Sequence, residues 1–130
     1  MNYRYVLDTH AWVEFFDGTG IGRQVNELIK HGSIATSVLA LAELSHKCAN
    51  EGRELEPFVS FIQAQSAILP LTQEIALTSG KLKKELRNVS KNVSLADAIH
   101  FQTAKAFGAT FVTGDPDFKG VKSKGLLLLY

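Results

Sequence analysis

Four carboxylates in this chain occupy positions where charge is costly. Asp8 ends an apolar run at residues 3–7, Glu43 interrupts Val38-Leu39-Ala40-Leu41-Ala42, Asp97 follows Leu95-Ala96, and Asp115 comes just after Thr110-Phe111-Val112-Thr113. Taken alone, each has a plain structural explanation. Asp8 can cap a helix beginning near Ala11, Asp97 is the favourable acid of a helix first turn, Asp115 is a turn residue before Pro116, and Glu43 can pair with a lysine. Glu43 is the hardest to place that way, because its helix start offers no polar face and an unpaired charge in apolar surroundings is heavily penalised. Brought together, the acids would have chemistry to do. Hard oxygen ligands without cysteine suit magnesium or manganese better than zinc. A carboxylate-held divalent ion can activate water and neutralise charge on a phosphate during in-line displacement. Phosphodiester hydrolysis is the reaction such a site fits.

Whether the acids meet depends on the elements that carry them. Short apolar runs at residues 3–7, 33–36, 67–69, 110–112 and 126–129 read as strands, and helical segments fall at 11–16, 21–31, 38–49, 57–65, 73–87 and 95–107. Pro57 suits a first helical turn, Gly32 and Gly108 stand where helices should stop, and Ser94 precedes Asp97 by three residues as in a capping box. Strands alternating with helices imply right-handed crossovers and a parallel sheet covered on both faces. The expected class is α/β, a three-layer α/β/α sandwich. In such sheets all strands end at one edge and the crossover helices begin there, which is where ligands bind. Asp8, Asp97 and Asp115 converge on that edge. If the first and fourth strands are neighbours, Asp8 and Asp115 stand roughly 5 Å apart, close enough to share a cation.

The chain has 130 residues, 45% of them hydrophobic and 21% charged, as expected for one globular domain spanning 1–130. A net charge of +1 gives no global reason to expect nucleic acid or membrane. Any electrostatic function must be local. The best local patch is Lys81, Lys83, Lys84, Arg87 and Lys91, which with Glu85 sums to +4 and leaves −3 elsewhere. These side chains could contact RNA phosphates, or they could simply be a solvated helix face with a Lys81–Glu85 pair. Cys48 is the only cysteine, which excludes an internal disulfide and a multi-cysteine zinc site and is read as a small buried hydrophobe. The late run Leu126-Leu127-Leu128-Leu129 is too short to cross a bilayer, so the expectation is a cytoplasmic protein without membrane contact. Trp12, Phe15 and Phe16 lie near the cleft end, where core packing is the default and base stacking the alternative.

With these residues set out, the chain resembles the PIN-domain family and, within it, the VapC-type ribonuclease toxins of toxin–antitoxin pairs. The resemblance rests on Val6-Leu7-Asp8-Thr9, on Glu43 in its apolar helix, on Leu95-Ala96-Asp97-Ala98-Ile99, and above all on Thr113-Gly114-Asp115-Pro116-Asp117-Phe118, which is similar to the family's T-x-D-x-D-F signature. It implies that Asp8, Glu43, Asp97 and Asp115 hold magnesium or manganese, that Thr9 and Thr113 orient water, ligand or phosphate, and that Asp117 is an auxiliary acid or a cap. It also implies a five-stranded sheet in the order 3-2-1-4-5, a homodimer and a small cognate antitoxin. Two residues depart from the family pattern: Gly114 stands where a basic residue is common, and His10 where a small polar one is.

Other classes compete. Glu43-Leu44-Ser45-His46 and Asp97-Ala98-Ile99-His100 have the carboxylate-x-x-histidine spacing of di-iron proteins, which requires a four-helix bundle. Without such a bundle, His46 and His100 are expected on partly exposed helix faces, where either could contact substrate. A receiver or phosphatase-type domain would also place an aspartate after the first strand, and a PIN-like module without activity would only bind RNA or protein.

Overall fold

Tyr5–Leu7 (β1) is the central strand of a five-stranded, all-parallel sheet in the order β3-β2-β1-β4-β5. Its partners are β2 (Ile34–Ser37), β3 (Ala67–Leu69), β4 (Thr110–Thr113) and β5 (Leu126–Leu128). The computed structural model describes residues 2–130. Six α-helices connect the strands: α1 (Thr9–Asp17), α2 (Gly20–His31), α3 (Val38–Glu51), α4 (Glu56–Gln65), α5 (Gln73–Leu86) and α6 (Leu95–Ala106). This is the three-layer α/β/α architecture expected from the sequence.

Alternation along β1 explains why the strand is apolar throughout. Val6 packs with Leu82, Leu86, Phe101 and Phe111 under α5 and α6, whereas Leu7 packs with Trp12, Val25 and Leu44 under α1, α2 and α3. Neither side chain has any exposed surface. Trp12 belongs to the second core as well: it is 1% exposed, and its indole N–H donates to Thr36 Oγ1 at 3.0 Å. It therefore packs the interior and does not stack on a substrate. Cys48 is buried, as expected.

The register sets up the site. Leu7 pairs with Thr36 on one side and with Val112 on the other, so the residues that follow, Asp8 and Thr113, leave the sheet side by side. Side-chain caps then start most of the helices: Asp8 caps α1, Thr19 α2, Ser37 α3, Thr72 α5 and Ser94 α6. The α1 helix begins at Thr9, two residues earlier than the sequence suggested, because Asp8 itself is the cap. A short 3-10 turn at Pro116–Phe118 was not anticipated; the Asp115 side chain caps it. In the connection between α5 and α6, the Ser90 hydroxyl donates to the Asp117 carbonyl and ties that segment to the Pro116–Phe118 turn.

Candidate active site

The β1 and β4 ends build one half of the site from backbone groups. Asp8 is 3% exposed, and its Oδ1 accepts the Ala11 N–H at 2.8 Å. Thr113 lies beside it at the end of β4, and Thr113 Oγ1 accepts the Asp115 N–H at 3.0 Å. Asp115 Oδ1 in turn accepts the Asp117 N–H at 2.9 Å. Thus the spacing of threonine and alternate aspartates is a run of local hydrogen bonds that fixes Asp115 at the strand end next to the one that carries Asp8. Burial pushes the Asp8 pKa up from 3.8 to about 6, against the opposing pull of Thr113, the Ala11 N–H and the fields of His100 and His10. Among the described residues no lysine or arginine pairs with Asp8. A carboxylate this buried, lacking a cation, is the arrangement that an added cation would relieve.

The second half is built from side chains. Glu43, on the second turn of α3, accepts the Thr9 hydroxyl at 2.7 Å and His100 Nε2 at 2.5 Å, and both bonds fall on Oε1. Burial pushes the Glu43 pKa up, but the His100 hydrogen bond, the field of the same ring and the Thr9 hydroxyl outweigh it, so the net shift is downward. Glu43 is therefore held ionised. His100 is 1% exposed, which corrects the expectation of a partly exposed helix face: the ring turns inward to meet α3. His46 does face outward, where its Nε2 lies 3.2 Å from Asn50. The di-iron arrangement is not formed, since the fold is layered about a sheet and the two histidines point to different places. The receiver reading fails on strand order, because receiver-type sheets run 2-1-3-4-5.

Asp97 is tied by the capping box: Ser94 Oγ accepts its N–H at 3.1 Å, and its Oδ2 accepts the Ser94 N–H at 2.9 Å. His100 follows one turn later on the same face of α6. The plain readings of Asp8 as a helix cap, Asp97 as a first-turn acid and Asp115 as a turn residue before Pro116 are thus correct, and they leave oxygens over. In Glu43, Asp97 and Asp115 the hydrogen bonds use a single oxygen, and the other has no partner among the described residues. No three acidic, histidine or cysteine side chains among the described residues stand close enough to enclose one ion. Such a donor set fits magnesium or manganese, which bind through one or two carboxylates and complete their shells with water and substrate phosphate.

His10 and Gly114, the two departures from the family pattern, explain each other. A Cβ on Gly114 would lie 3.0 Å from His10 Nδ1 and 3.0 Å from Ile21 Cγ2, so the imidazole fills the space a side chain at 114 would need. Lys81, Lys84, Arg87 and Lys91 are exposed and Lys83 is half-buried, and none of the five forms an ion pair with an acid of the site. Lys81 and Glu85 form no ion pair. The residue that sequence reasoning undervalued is His100. Its spacing from Asp97 was visible, but not the inward turn toward a glutamate 57 residues away.

No helix among the described residues is long and apolar enough to cross a membrane. No curated protein matches by sequence. Among solved structures, a toxin–antitoxin complex from Klebsiella pneumoniae superimposes with TM-score 0.74 at 22% identity, covering 97% of this chain and 98% of that one. The VapBC2 structure from Rickettsia felis bound to a promoter DNA fragment gives TM-score 0.69 at 23% identity, covering 95% and 96%. VapC20 from Mycobacterium tuberculosis, a toxin that cleaves the sarcin-ricin loop, gives 0.69 at 16%, covering 88% and 92%. At these identities the likeness establishes the fold. The PIN domain family model matches residues 5–124, nearly the whole chain, and the protein belongs to the PIN-domain family.

Proposed function

We propose that this protein is a divalent-metal-dependent endoribonuclease of VapC toxin type, with Asp8, Glu43, Asp97 and Asp115 as its metal-binding and catalytic acids. The observation that carries the reading is Asp8: a buried carboxylate with a raised pKa and no basic partner, on the sheet edge from which Glu43, Asp97 and Asp115 also issue, each with one oxygen free. When bound, magnesium or manganese supplies an activated water and neutralises charge on the scissile phosphate. The protein's part is to hold the acids. The Ala11 N–H fixes Asp8, Thr113 holds the Asp115 backbone, Thr9 locates Glu43, and Asp117 supplies the N–H that orients Asp115. Several acids so placed titrate together, and no single general base is assigned.

The charge distribution supports RNA as substrate. Every lysine or arginine ion pair among the described residues lies within residues 17–53, as Lys30–Glu27, Lys47–Glu51 and Arg53 with Asp17 and Glu51. Lys81, Lys83, Lys84, Arg87, Lys91, Lys105, Lys119, Lys122 and Lys124 have no such partner, which leaves the α5–α6 side of the molecule free to meet a polyanion. A cavity of about 370 Å³ bordered by His10, Glu14, Gly114 and Lys119 adjoins the β4 end of the acid site and suits a nucleotide flanking the cut. The toxin–antitoxin neighbours support a small antitoxin partner, and family membership supports a homodimer in the cytoplasm.

Cleavage of labelled RNA with manganese or magnesium, with and without chelator, tests this reading in wild type, Asp8→Asn and Asp97→Asn. Metal-dependent cutting that both substitutions abolish is expected. Cutting that survives chelation, or full activity in both variants, overturns the mechanism. Absence of cleavage across RNAs shifts the reading to a module that only binds.

A further inference from the structure

Glu43 raises a problem that the acid site alone does not solve. A glutamate carries one more rotatable bond than an aspartate, and this one emerges from a helix with no backbone N–H to receive it. The three aspartates are each pinned by a neighbouring main-chain N–H, of Ala11, Ser94 or Asp117. Glu43 instead depends on side chains from two other helices, Thr9 of α1 and His100 of α6.

The His100 contact is built to a definite specification. The ring is 1% exposed and its Nδ1 is buried without a partner, so a proton on Nδ1 would be an unsatisfied buried donor. An ionised Glu43 can only accept. Both conditions put the single ring proton on Nε2, pointing at Oε1. Because Thr9 bonds the same Oε1, the other oxygen is left bare for a cation.

We infer that His100 is a positioning residue of the active site, whose Nε2–H holds Glu43 Oε1 so that Oε2 is presented to the divalent ion. The inference rests on the metal-dependent reading above and adds to it a residue that touches neither metal nor substrate. Outer partners of this kind typically change metal affinity by about 10- to 100-fold when removed.

Glutamine places its amide nitrogen near the position of a histidine Nε2, and asparagine places its own near Nδ1. His100→Gln should therefore keep the donor and His100→Asn should lose it, at equal hydrogen-bonding capacity. Manganese binding is read from the loss of the free-ion electron paramagnetic resonance signal on titration into the full chain. The expected result is near-wild-type affinity in His100→Gln and an affinity weaker by about tenfold or more in His100→Asn, with both variants melting cooperatively. Equal affinity in wild type and both variants overturns the role of His100 and leaves the metal reading standing. Absence of manganese binding in the wild type overturns both. A measurement on the wild type alone guards against variants that do not fold. Nitrogen-15 shifts of the His100 ring should show protonated Nε2 and bare Nδ1, perturbed when diamagnetic magnesium is added; a proton on Nδ1 overturns the inference.

Discussion

The two halves of the site hold their acids in opposite ways. Asp8 sits where two parallel strands end, fixed by the Ala11 N–H, and burial leaves its pKa raised to about 6. Glu43 sits between helices, fixed by Thr9 and His100, and its pKa is lowered. One carboxylate is placed first and left electrostatically uncomfortable. The other is stabilised as an anion before anything binds. The difference teaches that the fold tolerates a cost at the strand end, where a cation would relieve it, and avoids one at the helix, where a longer side chain would otherwise be free to turn away.

The sharpest way to break this contrast is Asp8→Asn. Cleavage should fall by roughly a thousandfold, the equivalent of about 4 kcal/mol of charge stabilisation in the transition state. The metal-free variant should nonetheless be more stable than wild type at pH 7 to 8. Between 3.8 and about 6 the folded protein binds more protons at Asp8 than the unfolded chain, so wild-type stability contributed by this group is full at low pH and is lost as pH rises through that window. The loss amounts to about 2–3 kcal/mol. Asparagine removes the charge and still caps α1. Urea unfolding at several pH values should show a declining wild-type curve, a flatter variant, and recovery of the wild type alone when manganese is added. A variant less stable than wild type at neutral pH would mean that Asp8 carries no electrostatic cost.

Thr113→Val tests the same half by removing its hub. The two side chains have nearly the same shape, so packing is kept, while the half-buried Asp115 N–H loses its acceptor and Asp8 loses the hydroxyl that holds its pKa down. Destabilisation of about 1–3 kcal/mol is expected, visible as a lower urea midpoint at unchanged slope. Asp8 should become still harder to ionise. A neutral outcome would show that the strand-end half does not depend on this hydroxyl.

The halves also differ in how far the sequence disclosed them. The strand-end half was legible because its contacts are local: Thr113, Asp115 and Asp117 lie two residues apart, and Asp8 joins them as soon as β1 and β4 are neighbours. The α/β class and the strand runs followed from the same short-range regularities. The helical half was not legible. Its bonds join residues 34 and 57 positions apart, and which way a buried histidine turns depends on how α3 crosses α6. His10 behaved likewise: it had no explanation until Gly114 was seen to leave room for its ring.

Neither half should matter for the first encounter with RNA, which the unpaired cations on the α5–α6 side would govern. Replacing Lys81 and Lys84, which are exposed, with glutamine should lower the salt dependence of RNA affinity, the log–log slope falling by roughly 1.4 if each cation neutralises one phosphate of a single strand. Manganese binding and the melting transition should not move. An unchanged slope would remove this face from the substrate path, and a weakened manganese affinity would show that the flank and the acid site are not separate.

The smallest effect belongs to Thr9→Val, and it distinguishes the two designs most finely. Thr113 is the sole acceptor of the Asp115 N–H among the described residues, but Thr9 shares Glu43 Oε1 with His100. One hydrogen bond of about 0.5–1.5 kcal/mol is lost, so manganese affinity should weaken by roughly three- to tenfold and stability should hardly change. Because each bond partly locates the same Oε1, the losses should not be independent. Thr9→Val combined with His100→Asn should weaken binding by more than the product of the single effects, a coupling that a double-mutant cycle measures directly. Strict additivity would mean that each residue acts on its own, and that Glu43 is not held by a shared clamp.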